Sequence, residues 1–273
     1  AAILMRNVDS TVLIDGLRIY NNTDGGIICF NNADPVISNC VIEGNAAKQG
    51  GGIAIEETSS PLVSYCTITA NEAPSGAGIF IRSGCIATIE FCTIEDNHIT
   101  ENWGNGGGIS VQNSDATIRD CTISGNSTLG HGGGVAFFQG ATGLLENSLI
   151  QNNYCSNEWG SGGGVSTDAS NPTIDNCVIA GNYGSGAYTE GGGIDIQFVP
   201  SPTITNCTII NNAGGPSALG GGIAVQWSAT PIIERCIIAG STSGQGLYCI
   251  SATPVVSCCD IFDNAGGDAV CGT

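Results

Sequence analysis

Apolar and polar residues alternate along this chain in short bursts. Ile53-Ala54-Ile55, Ile109-Ser110-Val111 and Ile194-Asp195-Ile196 each put two branched residues on one side and a small or polar residue on the other. A second burst, such as Thr203-Ile204-Thr205, follows further along each stretch. Period two, β-branched enrichment and flanking Gly, Pro or Asn predict strands throughout, and no stretch carries a sustained helical stripe. Pro35, Pro61, Pro172, Pro202, Pro231 and Pro254 mark the start of the same strand in successive copies.

The bursts belong to a repeat. A small-small-apolar anchor recurs at Gly25-Gly26-Ile27, Gly51-Gly52-Ile53, Ala77-Gly78-Ile79, Gly107-Gly108-Ile109, Gly133-Gly134-Val135, Gly163-Gly164-Val165, Gly192-Gly193-Ile194 and Gly221-Gly222-Ile223, with weaker copies at Ile3, Leu247 and Ala269. Successive anchors are 22 to 30 residues apart. Each is followed by Cys-x-Ile-x-x-Asn or a close variant, as in Cys66/Ile68/Asn71 and Cys121/Ile123/Asn126. Three short strands cannot bury a face alone, so successive repeats must stack, with equivalent residues one above another at ~4.7–4.9 Å. The reading is all-β: a single domain over residues 1–273, a parallel β-helix of about ten coils of 22–30 residues. Asn at the end of each repeat tolerates left-handed backbone, and its amide can bond the next coil.

Gly-Gly-x-Ile paired with Ile-x-x-Asn resembles the repeat of the chlamydial polymorphic outer-membrane protein passengers. It is also similar to the wider group of secreted right-handed parallel β-helix repeat proteins. The resemblance runs from Ile3 to Cys271, although Ile42, Ile94 and Ile179 stand where the passengers usually have Phe. It implies a right-handed coil and an extracellular or cell-surface location. The same coil carries adhesins, lyases, hydrolases and tailspike-type modules, so the resemblance speaks to fold and not to activity.

Composition removes other classes. Six Lys and Arg face 24 Asp and Glu, a formal charge of −18. That excludes a phosphate-backbone binder and disfavours anionic lipid, so neither nucleic acid nor membrane insertion is expected. Eight of the 14 cysteines occupy one inward ladder position (40, 66, 92, 121, 177, 207, 236 and 259). Parallel inward neighbours ~4.8 Å apart suit free buried thiols better than bridges. Cys249 with Cys271 is the pair to test first for a disulfide.

Coil length varies at one corner. From the Asn position to the next anchor the count runs 5, 8, 8, 12, 9, 12, 12, 11, 6, 5. Variable loops on a rigid scaffold are where binding concentrates. Residues 98–104, 127–131, 154–160 and 183–190 hold Glu101, Trp103, His131, Tyr154, Glu158, Trp159, Tyr183, Tyr188 and Glu190, with no Lys or Arg. Aromatic rings with carboxylates suit a polysaccharide or cell-surface glycan. The alternative is that Trp103 and Trp159 fold back to pin their own loops. A second surface carries Asp168, Asp195, Gln197 and Gln226 near Phe198 and Trp227. Asp168 and Asp195 are weak candidates for a shared Ca²⁺, against a simpler solvated face; no other cofactor is expected.

The expectation is therefore a non-catalytic adhesin or carbohydrate-binding β-helix using the mid-column corner. If it were instead a polysaccharide-degrading enzyme, Glu101 and Glu158, with His131, would be the residues to carry an inverting hydrolysis. A third reading, that the segment is part of a longer column or stacks end to end into fibres, follows from the open strand edges that β-helix ends present.

Overall fold

A computed structural model describes residues 1–198 and 201–271. Every regular element among them is a strand. The strands build three long parallel sheets around one core. An anchor sheet of 11 strands runs from Ile3–Arg6 to Ala269–Cys271. A middle sheet of ten runs from Leu13–Asp15 to Val255–Ser257, and an asparagine sheet of ten from Arg18–Tyr20 to Asp260–Phe262.

The predicted register holds rung by rung. Ile53 faces Ile27 on one side and Ile79 on the other, and Ile109 faces Ile79 and Val135. All are fully buried. Burying such a side chain is worth roughly 1.5–3 kcal/mol, and here the burial exists only because a neighbouring coil covers it.

Asn45, Asn71, Asn97 and Asn126 stand in single file. The Asn71 amide donates to Ile42 O at 2.9 Å and to Asn97 Oδ1 at 3.0 Å, while its backbone N–H donates to the same Asn97 oxygen at 3.0 Å. The same bonds link Asn97 to Asn126, Asn126 to Asn153, Asn153 to Asn182 and Asn182 to Asn212. One expectation is corrected: the left-handed backbone lies one residue earlier, at Ala70 (φ 52°), Asp96 (φ 54°) and Gly125 (φ 65°). The ladder Asn is chosen for its buried amide, and its neighbour makes the turn.

Cys40, Cys66, Cys92, Cys121, Cys177, Cys207 and Cys236 are buried free thiols, and Cys259 is half-buried. Their sulfurs sit near carbonyls, as Cys92 Sγ does at 3.2 Å from Glu90 O. Cys249 and Cys271 face each other in register and are joined by a disulfide. Cys85 and Cys155, which the repeat leaves off the ladder, are also buried, whereas Cys258 is exposed.

The corner is more ordered than its sequence suggests. Glu72–Ala73, His98–Ile99, Ser127–Thr128, Tyr154–Cys155 and Tyr183–Gly184 form a fourth parallel sheet of five short strands. Beyond it, single bridges tie His131 to Asn105 and Ser161, and Ser161 to Glu190. The first two residues after each mid-column Asn lie beside those of the next coil, so their backbone groups pair with one another instead of being left unmet.

Candidate functional site

On leaving the corner the chain turns back flat against the outer face of the anchor sheet. Gly191 makes this possible in the mid-column coil. It has φ +62°, and a Cβ there would meet Ile194 O at 2.3 Å and the Asp195 Cα at 2.8 Å. Gly106, Gly132 and Gly162 do the same in the coils before it. The outer row they cover is therefore small: Ser110, Ala136, Ser166 and Ala224 are all buried. Asp195 occupies this row, in register with Ser166 and Ala224, and is itself fully buried.

Beside the covered row lies a pocket of about 200 Å³, lined by Trp159, Gly160, Ser161, Tyr188, Glu190, Gln197, Gln226 and Trp227. Trp159 and Tyr188 come from the corner and stack with ring centres 4.5 Å apart. Opposite them, Phe198 and Trp227 pack at 4.5 Å on the turn that leaves the anchor sheet. Phe198 and Trp227 both have positive φ (64° and 50°), where neighbouring coils use Asn113, Gln139 and Ala169.

The polar floor is a hydrogen-bonded network. The Gln197 side chain donates to Ser161 Oγ at 3.0 Å, and the same hydroxyl lies 2.6 Å from His131 Nδ1. The Gln226 side chain donates to Asp195 Oδ1 at 2.9 Å, while Asp195 Oδ2 has no partner. Glu190 Oε2 accepts from the backbone N–H groups of Leu219 and Gly220 at 3.0 and 2.9 Å. Burial, aided by the Glu190 charge, pushes the Asp195 carboxyl up to about 8 against the opposing Gln226 hydrogen bond. Burial also raises Glu190 and Asp168, and it lowers His131, favouring the uncharged imidazole.

A model of the family described as a right handed beta helix region matches residues 1–107, 93–216 and 188–272. The chain belongs to the right-handed β-helix family. No curated protein and no solved structure matches it. Within this β-helix the structure divides the residues singled out by sequence. Trp159, Tyr188 and Glu190 join Gln197, Gln226 and Trp227, so two surfaces that read as separate form one site. Tyr154 and Tyr183 stack with each other at 5.3 Å on the corner sheet. Glu101, Trp103 and Glu158 do not line the pocket and are exposed; the Trp103 ring lies 6.3 Å from that of His131. Trp103 and Trp159 do not fold back over the corner: they are 56% and 59% exposed.

Two expectations need correction. Asp195 does not lie on a solvated face, because the segment at Gly191 seals it. Nor do Asp168 and Asp195 pair across the coils: Asp168 stands opposite Gln197, two residues along. Among the described residues no group of three or more His, Cys, Asp or Glu side chains is arranged to hold a metal ion. Sequence reasoning missed Ser161 and the depth of Asp195. A usable signal was there: Asp195 is the one acid in a column that otherwise reads Ala54, Phe80, Ser110, Ala136, Ser166 and Ala224. A larger cavity of about 460 Å³ borders Asp24, Lys48 and Glu56 in the first coils. No aromatic side chain lines it.

Proposed function

We propose that this β-helix binds carbohydrate in the mid-column pocket, without cleaving it, as an extracellular or surface-exposed module. The observation that carries the reading is the set of exposed rings, Trp159 stacked on Tyr188 and Trp227 backed by Phe198, in which Trp159, Tyr188 and Trp227 wall a pocket with a Glu190, Gln197 and Gln226 floor. Ring faces take the apolar faces of a pyranose, and the amides and carboxylate take its hydroxyls. The absence of Lys and Arg from the lining argues against uronates or sulfated chains, whose charge would go unanswered.

The test is a glycan panel followed by titration of any hit. Trp159→Ala and Trp227→Ala should each weaken binding at least about tenfold, the usual cost of losing a buried aromatic anchor. Trp103→Ala should leave it unchanged. Undiminished binding by both pocket variants would refute the assignment.

One observation favours hydrolysis as a second reading. Asp195 is held protonated near neutral pH and Glu190 lies in the same site, the kind of unequal carboxyl pair that acid–base chemistry uses. These two, rather than Glu101 and Glu158, would then be the residues to replace. New reducing ends released from the same panel, and lost in Asp195→Asn, would establish it.

A further inference from the structure

We infer that the pocket selects an amino sugar, placing the sugar's ammonium group between the aromatic walls and the Glu190 carboxylate. This rests on the carbohydrate-binding reading and narrows it to one ligand class.

Three independent features converge. First, the walls are three aromatic rings, Trp159, Tyr188 and Trp227, from two different turns. Aromatic faces attract a cation most strongly when water is excluded. Second, the Glu190 carboxyl lines the pocket and is incompletely engaged, accepting its two backbone bonds through Oε2 alone. Third, no cation among the described residues answers it. The four ion pairs of the described residues involve Arg18, Arg82, Arg119 and Arg235, with Glu43, Glu56, Glu90 and Glu234. The one imidazole in the network, that of His131, is pushed towards its uncharged form by burial.

A neutral sugar would stack on the same rings but would leave the charge of Glu190 uncompensated. An ammonium supplies three donors and a positive charge to answer the Glu190 carboxylate. Acylation of the sugar nitrogen removes that charge and leaves a single N–H, so the N-acetyl sugar is the discriminating control.

The experiment titrates the full chain calorimetrically at pH 6, where the sugar amine is charged. The probes are a glucosamine tetramer, an N-acetylglucosamine tetramer and cellotetraose. The glucosamine tetramer should bind about tenfold or more tightly than either neutral probe, with added salt eroding the difference. Glu190→Gln should bring the ratio of amino to neutral affinity close to one, and an unchanged melting temperature reports that the variant folds. Equal binding of all three probes, abolished by Trp159→Ala, overturns the amino-sugar inference and leaves carbohydrate binding standing. Binding of none of them overturns the inference, and the wider panel then decides whether another carbohydrate is bound.

Discussion

Replacing Asn126 by Ala removes one rung from the middle of the asparagine file. The wild-type amide donates to Ile94 O at 2.9 Å and to Asn153 Oδ1 at 3.0 Å. Its oxygen accepts from the Asn97 backbone N–H at 3.0 Å and from the Asn97 amide at 2.9 Å. Asn153 Oδ1 keeps a second donor, the backbone N–H of residue 126, so it is not orphaned. Two groups are: the Asn97 backbone N–H and one Asn97 amide hydrogen, whereas Ile94 O stays in the parallel ladder that pairs Thr93–Glu95 with Thr122–Ser124. Each buried orphan costs about 1–3 kcal/mol, and a water entering the vacated space recovers part of it, so the expected loss is about 2–4 kcal/mol. At a guanidinium slope of roughly 6 kcal/mol per molar, that lowers the unfolding midpoint by about 0.3–0.7 M. Asn22→Ala is the internal comparison. Asn22 is only half-buried and donates to Tyr20 O at 3.1 Å and Asn45 Oδ1 at 2.7 Å, with solvent within reach, so its loss should cost under about 1 kcal/mol. The two variants are compared by denaturant titration at equal slope. Midpoints that shift alike would refute the claim that burial of the amide, rather than its mere presence, holds the coils in register.

Asp195 makes stability depend on pH in an unusual direction. Its folded value of about 8 lies above the ordinary carboxylate range, so the folded state holds a proton that the unfolded chain has released. The contribution is complete below about pH 4 and falls as pH rises towards 8, by up to about 1.4 kcal/mol per pH unit. Midpoints measured between pH 5 and 7.5 should decline less in Asp195→Asn than in the wild type; identical slopes would show that burial does not hold the proton on this carboxyl. Gly191→Ala forces a Cβ to within 2.3 Å of Ile194 O in left-handed backbone. It should destabilise by more than the ~1 kcal/mol of the backbone strain alone and disturb the segment that seals Asp195, read as a lower Asp195 pKa by carbon-detected NMR titration. Alkylation of the native protein should label Cys258 first, because burial shields the ladder thiols, and denaturation without reductant should expose all twelve free thiols while sparing Cys249 and Cys271. Mass spectrometry of tryptic peptides reads both outcomes.

Much of the architecture was legible because the repeat speaks in short range. Ile at the anchors, Pro before the middle strand and Asn at the end of each coil carry their preferences locally, and stacking is the only way such coils can cover one another. The Cys249–Cys271 pair was legible as neighbours in register, but register also stacks the free ladder thiols, so it does not by itself say which pair is bridged. The corner's extra sheet was not. Its strands are two residues long and exist because the corner of one coil runs beside the corner of the next, a relation between coils rather than a pattern within one. The site was half legible. Trp159, Tyr188 and Glu190 stood out as aromatic and acidic residues in a variable corner, but Glu101, Trp103 and Glu158 looked the same on paper.

Sequence by itself determined that this chain is a β-helix, which residues point inward, and where its coils vary. Tertiary structure alone decided that the segment after the corner lies across the anchor sheet, joining Trp159 and Tyr188 to Gln197, Gln226 and Trp227 and enclosing Asp195. The physical reason is that inward or outward orientation is set by period two, whereas enclosure of an outward residue depends on which other segment covers it. Gly191 permits that cover, and only the three-dimensional path of the chain shows that Asp195 lies beneath it.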